Sequence, residues 1–273
     1  MKRVPVAYQL YSARDSVARD LPGVLQQLKQ LGYDGVEFAG FFDYSAKDLR
    51  DMLDKEGLVP ISSHCPLTLM QQDMFGTIAY HQALGVKYIA IPYVDEEYRP
   101  GNPGFAELIK FVYTFGALCR KAGLQLLYHN HDFEFAPVSG GYGLDFLYAS
   151  TPAKYLATQI DTCWVKYAGE DPAAYIRKYT GRAPVVHLKD YVGTKGEGSP
   201  YALIGKKEEK ALDTQQFEFR AFGHGCQDAK AIVEAGIDAG AEWFVVEQDL
   251  SYHRTPLEDA ALSLDTLRQI GLK

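Results

Sequence analysis

The chain has 273 residues, 47% of them hydrophobic, and a formal charge of −7. That length suits one large domain with a sizeable core, and no stretch approaches the roughly 20 consecutive apolar residues of a membrane span. The acidic balance, with no basic cluster beyond Lys206-Lys207 (offset by Glu208-Glu209), argues against a nucleic-acid partner.

From the N-terminus, Met1-Lys-Arg-Val-Pro-Val runs at once into a strand-like segment, without the apolar stretch and small-residue cleavage site of a signal peptide. Four widely spaced cysteines form no CxxC pair, so neither a disulfide framework nor a structural zinc site is expected, and a cytoplasmic location is. A rhythm then repeats: an amphipathic segment ends in Gly and a short apolar run follows, as at Gly57-Leu-Val-Pro-Ile61 and Gly123-Leu-Gln-Leu-Leu127. Gly suits a left-handed helix terminus, and an unbroken apolar run suits a strand covered on both sides. The pattern predicts eight strands near 4–9, 35–38, 58–63, 87–92, 124–129, 157–161, 184–188 and 243–247. Ser45-Ala-Lys-Asp48 resembles a capping box, and Asp171-Pro172 reads as an N-cap with Pro in the first turn. Phe105, Leu108, Ile109, Val112, Phe115 and Cys119 share a helical face, as do Leu257, Ala260, Ala261, Leu264 and Leu267. Between the seventh and eighth strands about 30 extra residues, 191–222, form a long loop expected as a lid. The fold class predicted is an α/β (β/α)8 barrel, 1–273, in a single domain.

Chemistry concentrates where strands stop. The fifth run ends in Tyr128-His129-Asn130-His131-Asp132-Phe133-Glu134, and later runs end on Asp161, His187 and Glu247. Carboxylate oxygen and imidazole nitrogen hold hard and borderline divalent cations. In a barrel all four strand ends face one mouth, so Glu134, Asp161, His187 and Glu247 are the candidate metal ligands. The expected cofactor is a divalent cation, Mn, Mg, Co or Zn; three carboxylates and one imidazole favour the first three over a structural zinc. An acidic residue at one strand end is more often a solvated loop or helix cap; the recurrence of four gives the set its weight.

Gly32-Tyr-Asp-Gly-Val-Glu37-Phe, Ile61-Ser-Ser-His64, Tyr128-His-Asn-His-Asp-Phe-Glu134-Phe, Asp161-Thr-Cys-Trp164, His187-Leu-Lys-Asp190 and Val246-Glu247-Gln-Asp249 together resemble the xylose isomerase-like barrels, and more narrowly the sugar phosphate isomerases/epimerases. The resemblance spans nearly the whole chain. It implies a TIM barrel with a divalent metal held by Glu, Asp, His and Glu, roles carried to Glu134, Asp161, His187 and Glu247. In several relatives the carboxylate ligand lies nearer the place of His129, so His129 as ligand with Glu134 as base is the alternative register. The family chemistry is proton transfer beside a carbonyl of a sugar or sugar derivative through an enediolate, here expected of Glu134 and Glu247 facing one another. His129 or His131 would orient a ligand or shuttle a proton, or simply hydrogen-bond a ligating carboxylate.

The remaining candidates each have a structural rival. Glu37 and His64, at the ends of the second and third strands, line the pocket or sit in buried ion pairs and hydrogen bonds. Lys189 meets a substrate anion or, preferably, neutralises the carboxylates. Arg14 is a pocket residue or a helix-start contact, and Trp164, Phe133 and Tyr11 stack on a sugar or pack the barrel. Phe222-Gly223-His224-Gly225 stands where many relatives carry Gly-Glu-Gly, so His224 is expected to alter the pocket rim. No Gly-rich phosphate cradle is present. The expected activity is isomerase or epimerase. A lyase on the same scaffold, inosose dehydratase-like or acting on a 3-keto glycoside, is the alternative. A carbohydrate-binding protein without catalysis and a multi-zinc endonuclease fit less well. Relatives often pair, which leaves a homodimer open.

Overall fold

The computed structural model describes residues 3–194, 200–201 and 217–273. Eight short parallel strands form the centre: β1 Val6–Gln9, β2 Gly35–Ala39, β3 Val59–His64, β4 Tyr88–Ile91, β5 Gln125–His129, β6 Leu156–Asp161, β7 Val185–Leu188 and β8 Trp243–Val246. Each strand pairs with its neighbours in chain order, and β8 returns to β1 with Phe244 opposite Val6, closing the barrel. The predicted strands all fall within two residues of these.

Helices cover the outside: α1 Arg14–Leu31, α2 Ala46–Glu56, α3 Met74–Leu84, α4 Phe105–Lys121, α5 Gly143–Ala149, α6 Pro172–Lys178, α7 Ala229–Ala239 and α8 Pro256–Gln269. Their ends follow local chemistry. Ser45 Oγ accepts the Asp48 N–H, Asp171 accepts the Ala174 N–H ahead of Pro172, and Thr255 with Glu258 completes a capping box. Gly57 at φ 67° closes α2 in the left-handed conformation, which a residue with a Cβ adopts only under strain. No described helix is long and apolar enough to cross a membrane.

Strand periodicity sorts the barrel interior into layers. Ala7, Ile61, Tyr88, Ala90, Leu127, Ala157, Val185 and Val245 pack as one cluster inside the ring. Side chains two positions on along a strand face the same way. The next layer therefore holds Gln9, His129, Gln159, His187 and Glu247, and the one above it Asp161, Lys189 and Asp249. All of these are buried. The barrel thus changes from apolar to ionisable along its axis at the carboxyl ends of β5–β8.

The expected lid begins and ends as an antiparallel hairpin, Asp190–Gly193 against Phe217–Arg220. The rest of that loop, 195–199 and 202–216, lies outside the described residues.

Candidate metal centre and active site

His129, Asp161, His187 and Glu247 converge at the carboxyl mouth, each offering a ligand atom within 4.8 Å of the others. Glu134, the fourth ligand expected from sequence, is not in this group. It lies on the 3-10 turn Phe133–Phe135, beyond the strand, and so leaves the inward register. Its carboxylate is taken up locally: Tyr128 Oη donates to Oε1 at 2.8 Å, and the His131 N–H donates to Oε2 at 2.8 Å. His129, on the last residue of β5, stands in the vacated place. This group offers two imidazoles and two carboxylates rather than one and three, a set that would suit Zn²⁺, Co²⁺ or Mn²⁺ better than Mg²⁺.

A cation fits these residues. Asp161 Oδ2 is buried with no hydrogen-bond partner, 3.6 Å from His129 Nε2 and 3.7 Å from Lys189 Nζ. Its other oxygen accepts the Trp164 N–H at 3.0 Å, so the carboxylate is held with one oxygen free to coordinate. His187 Nδ1 lies 2.7 Å from Glu247 Oε2, and its Nε2 lies 2.7 Å from Glu37 Oε1.

Glu37 is the hub beneath the cluster. It is fully buried, accepts from Gln9 Nε2 at 2.7 Å, Gln159 Nε2 at 2.6 Å and Ser62 Oγ, and lies 3.1 Å from His64 Nε2. Gln159 Oε1 also sits 2.7 Å from His64 Nε2 and 3.1 Å from His129 Nδ1. Two ligand-type imidazoles are thereby oriented by one buried polar network, the arrangement that fixes ring tilt and tautomer around metals. Burial would raise the Glu37 carboxyl, but His64 and His187 outweigh it and hold it well below the usual range. Burial likewise opposes charge on His187, yet Glu37 and Glu247 push it up to about 10.

Lys189 Nζ lies 2.6 Å from Asp249 Oδ2, 3.6 Å from Glu247 Oε2 and 3.7 Å from Asp161 Oδ2. Three carboxylates thus lie within 3.7 Å of its ammonium, which can offset part of their charge. Burial pushes Asp249 up to about 7 against the pull of Lys189, and Glu134 up to about 8 despite its two donors.

Above the cluster opens a cavity of about 480 Å³, whose lining includes His64, His129, His131, Lys189, Glu247 and Asp249. Tyr11 lines it too, while Glu37, Trp164, Arg14 and His224 do not. Trp164 is fully buried, its ring stacked at 5.1 Å on His131, which Phe133 covers at 5.5 Å. Arg14 Nη1 donates to the carbonyls of Tyr11 and Asp249, bracing the rim. His224, expected at that rim, is exposed on the turn after the hairpin. Burial keeps His131 neutral, with Nδ1 unpartnered. A second cavity of about 320 Å³, at the opposite mouth among Lys87, Arg120 and Glu242, shares no residue with this one.

Sequence reading missed Gln9, Gln159 and Asp249. Strand parity was the available signal: Gln159 stands two before Asp161, and Asp249 two after Glu247.

A closed parallel barrel with a buried histidine–carboxylate cluster at its carboxyl mouth defines a TIM-barrel protein with its candidate site at the usual end of the barrel. Residues 25–270 match the family model described as xylose isomerase-like TIM barrel, and the chain belongs to that family. Among solved structures, two proteins from Parabacteroides distasonis, each described as a sugar phosphate isomerase/epimerase, superpose with TM-scores of 0.79 and 0.78 at 21% and 20% identity. The match covers 100% and 98% of this chain and 96% and 99% of theirs. The IolI protein, described with a bound zinc atom, matches at TM-score 0.70 and 13% identity over 97% of each chain. A probable 3-DHS dehydratase from Bacillus anthracis matches at 0.72 and 10% identity over 97% of this chain and 98% of its own. No curated protein matches the chain.

Proposed function

We propose that this protein is a divalent-metal-dependent sugar isomerase or epimerase, with the cation held by His129, Asp161, His187 and Glu247. The unpartnered, fully buried Asp161 Oδ2 among three other ligand-type groups carries the reading. The isomerase/epimerase descriptions of the Parabacteroides structures and the zinc of IolI support it. A dication there would polarise the substrate carbonyl and offset the negative charge that develops on its oxygen.

The protein's own groups move the proton. Asp249 lines the cavity with its carboxyl pushed up by burial to about 7, near the value that suits a general base at neutral pH. It takes the proton from the carbon beside the carbonyl and returns it to the neighbouring carbon or the opposite face. Lys189, 2.6 Å away, holds it in place. Glu247 is kept ionised by Lys189 and His187 against its burial, as a ligand requires. His131, neutral and on the cavity wall, passes the second proton between oxygens. Glu134 acts on this step only by fixing the His131 backbone.

The same first step serves a lyase. The probable 3-DHS dehydratase among the similar structures supports that second reading, in which Asp249, protonated by the first step, passes its proton to the departing oxygen. Proton NMR of metal-loaded protein with a panel of keto sugars in deuterated water tests both. Deuterium incorporation at unchanged formula is expected; loss of water or an alcohol would select the lyase, and no exchange with any sugar would defeat both.

A further inference from the structure

The cavity has two unlike walls. The ends of β5, β7 and β8 supply His129, His131, Lys189, Glu247 and Asp249, whereas the ends of β2, β3 and β4 supply His64, whose Nε2 is already taken up by Glu37 and Gln159, and otherwise Ala39, Gly40, Pro66, Leu69, Pro92 and Tyr93. A free sugar carries hydroxyls all round its ring. Its C–H face satisfies one aromatic such as Tyr93, but the remaining wall offers aliphatic carbon to which a hydroxyl would lose its hydrogen bonds. Leu69 is 52% exposed on the short helix Leu67–Gln72, an aliphatic side chain facing the cavity from a surface position that folding does not require to be apolar.

Charge points the same way. Lys189 is the one cation among the described residues lining the cavity, and it is 2.6 Å from Asp249 with Glu247 and Asp161 within 3.7 Å. Arg99 is turned to Tyr93 Oη and stacked 4.3 Å over Phe133, and Arg14 Nη1 is turned to backbone carbonyls. Four carboxylates, Glu37, Asp161, Glu247 and Asp249, surround the centre. The single ammonium on the described lining is already engaged by three of these carboxylates, so the cavity offers a phosphate dianion no lysine or arginine to pair with.

We infer that the substrate is an uncharged sugar derivative bearing an apolar substituent. Its oxygen-rich end meets the His129–Glu247 side, and its substituent lies against Pro66, Leu69 and Tyr93. This rests on the sugar-enzyme reading above and excludes a sugar phosphate as the preferred ligand.

Calorimetric titration of Mn²⁺-loaded protein with glucose, methyl glucoside, phenyl glucoside and glucose 6-phosphate, both anomers of each glycoside, tests it. Phenyl glucoside is expected to bind at least tenfold more tightly than methyl glucoside. Glucose 6-phosphate should bind no better than glucose. Leu69→Asp, at a half-exposed position, should remove most of the phenyl preference, with metal stoichiometry as the control for folding. Tighter binding of the phosphate, equal binding of the two glycosides, or an unchanged preference in Leu69→Asp would overturn the inference. Deuterium exchange on keto sugars is scored separately. Exchange without phenyl preference leaves the isomerase reading standing and defeats this one, whereas phenyl preference without exchange does the reverse. No binding of any of the four defeats the inference outright.

Discussion

Two buried glutamates, Glu37 and Glu134, show how position decides role. Each accepts hydrogen bonds, but Glu37 sits under the ligand ring with His187 Nε2 2.7 Å away, whereas Glu134 is spent on Tyr128 and the His131 backbone. Outer partners of metal-ligating histidines typically contribute about 10–100-fold to metal affinity. Glu37→Gln is therefore expected to weaken metal binding by about that factor, since the amide loses the charge beside His187 and keeps only one accepting oxygen for the donors around it. His129→Ala should lose more. Glu134→Gln should hold its metal within about threefold of wild type, far less than the outer-partner effect. Competition with a fluorescent chelator reads all three, and a Glu134 variant as poor as His129→Ala would restore the carboxylate to the ligand set.

Among the elements, the hairpin after β7 depends on one acid. Asp190 accepts four backbone N–H groups, from Tyr191 at 2.8 Å, Gly223 and Gly225 at 3.0 Å and Gln227 at 3.1 Å. A Cβ at Gly225 would collide with that carboxylate and with the Tyr191 carbonyl, so glycine is required there. Each buried donor left without an acceptor costs about 1–3 kcal/mol, and with the turn partly open to water Asp190→Ala should cost about 3 kcal/mol in urea unfolding. Asp190→Asn should lose less, because one oxygen remains. A cost below about 1 kcal/mol for the alanine variant would mean the turn holds itself.

At this scale sequence and structure agree for a physical reason. Each helix end carries its own capping chemistry, and each barrel strand is covered on both sides, so Gly followed by an apolar run marks the transition. Asp161, His187 and Glu247 come together because each continues the inward side of its strand. Glu134, carried over from the family resemblance, and His129, its alternative register, are separated by strand geometry. Counting by twos from Leu127 leads to His129 and then out of the strand, where a 3-10 turn breaks the alternation. Glu37, Ser62 and Gln159 meet only through barrel closure, which no local pattern displays.

For the whole molecule, burying this much charge couples stability to pH and metal. Without metal, Glu134 at about 8 against 4.5, Asp249 at about 7 against 3.8 and His187 at about 10 against 6.5 are all raised in the fold. A raised carboxyl costs stability once the unfolded chain ionises. The stability that protonated His187 adds is complete below 6.5 and lost as pH climbs through 10. All three signs agree, while His129 and His131, held neutral by burial, oppose them only below about 6.5; above that the metal-free protein binds more protons folded than unfolded, so its Tm should fall from pH 7 to 9. Glu37 and Glu247, held low, act only in acid and do not reverse this. Because a metal must displace the His187 proton, binding should release protons and tighten with pH, so Mn²⁺ or Zn²⁺ should flatten or invert the slope. Differential scanning fluorimetry across that range, with and without metal, checks it; a Tm rising with pH in chelator would contradict the burial of these charges.

Anomalous diffraction from crystals soaked in Mn²⁺ or Zn²⁺ tests the centre itself most directly. A single peak is expected inside the carboxyl mouth, bonded to His129, Asp161, His187 and Glu247 at about 2.0–2.2 Å. No peak there, or a peak ligated by Glu134 with His129 turned away, would contradict the account.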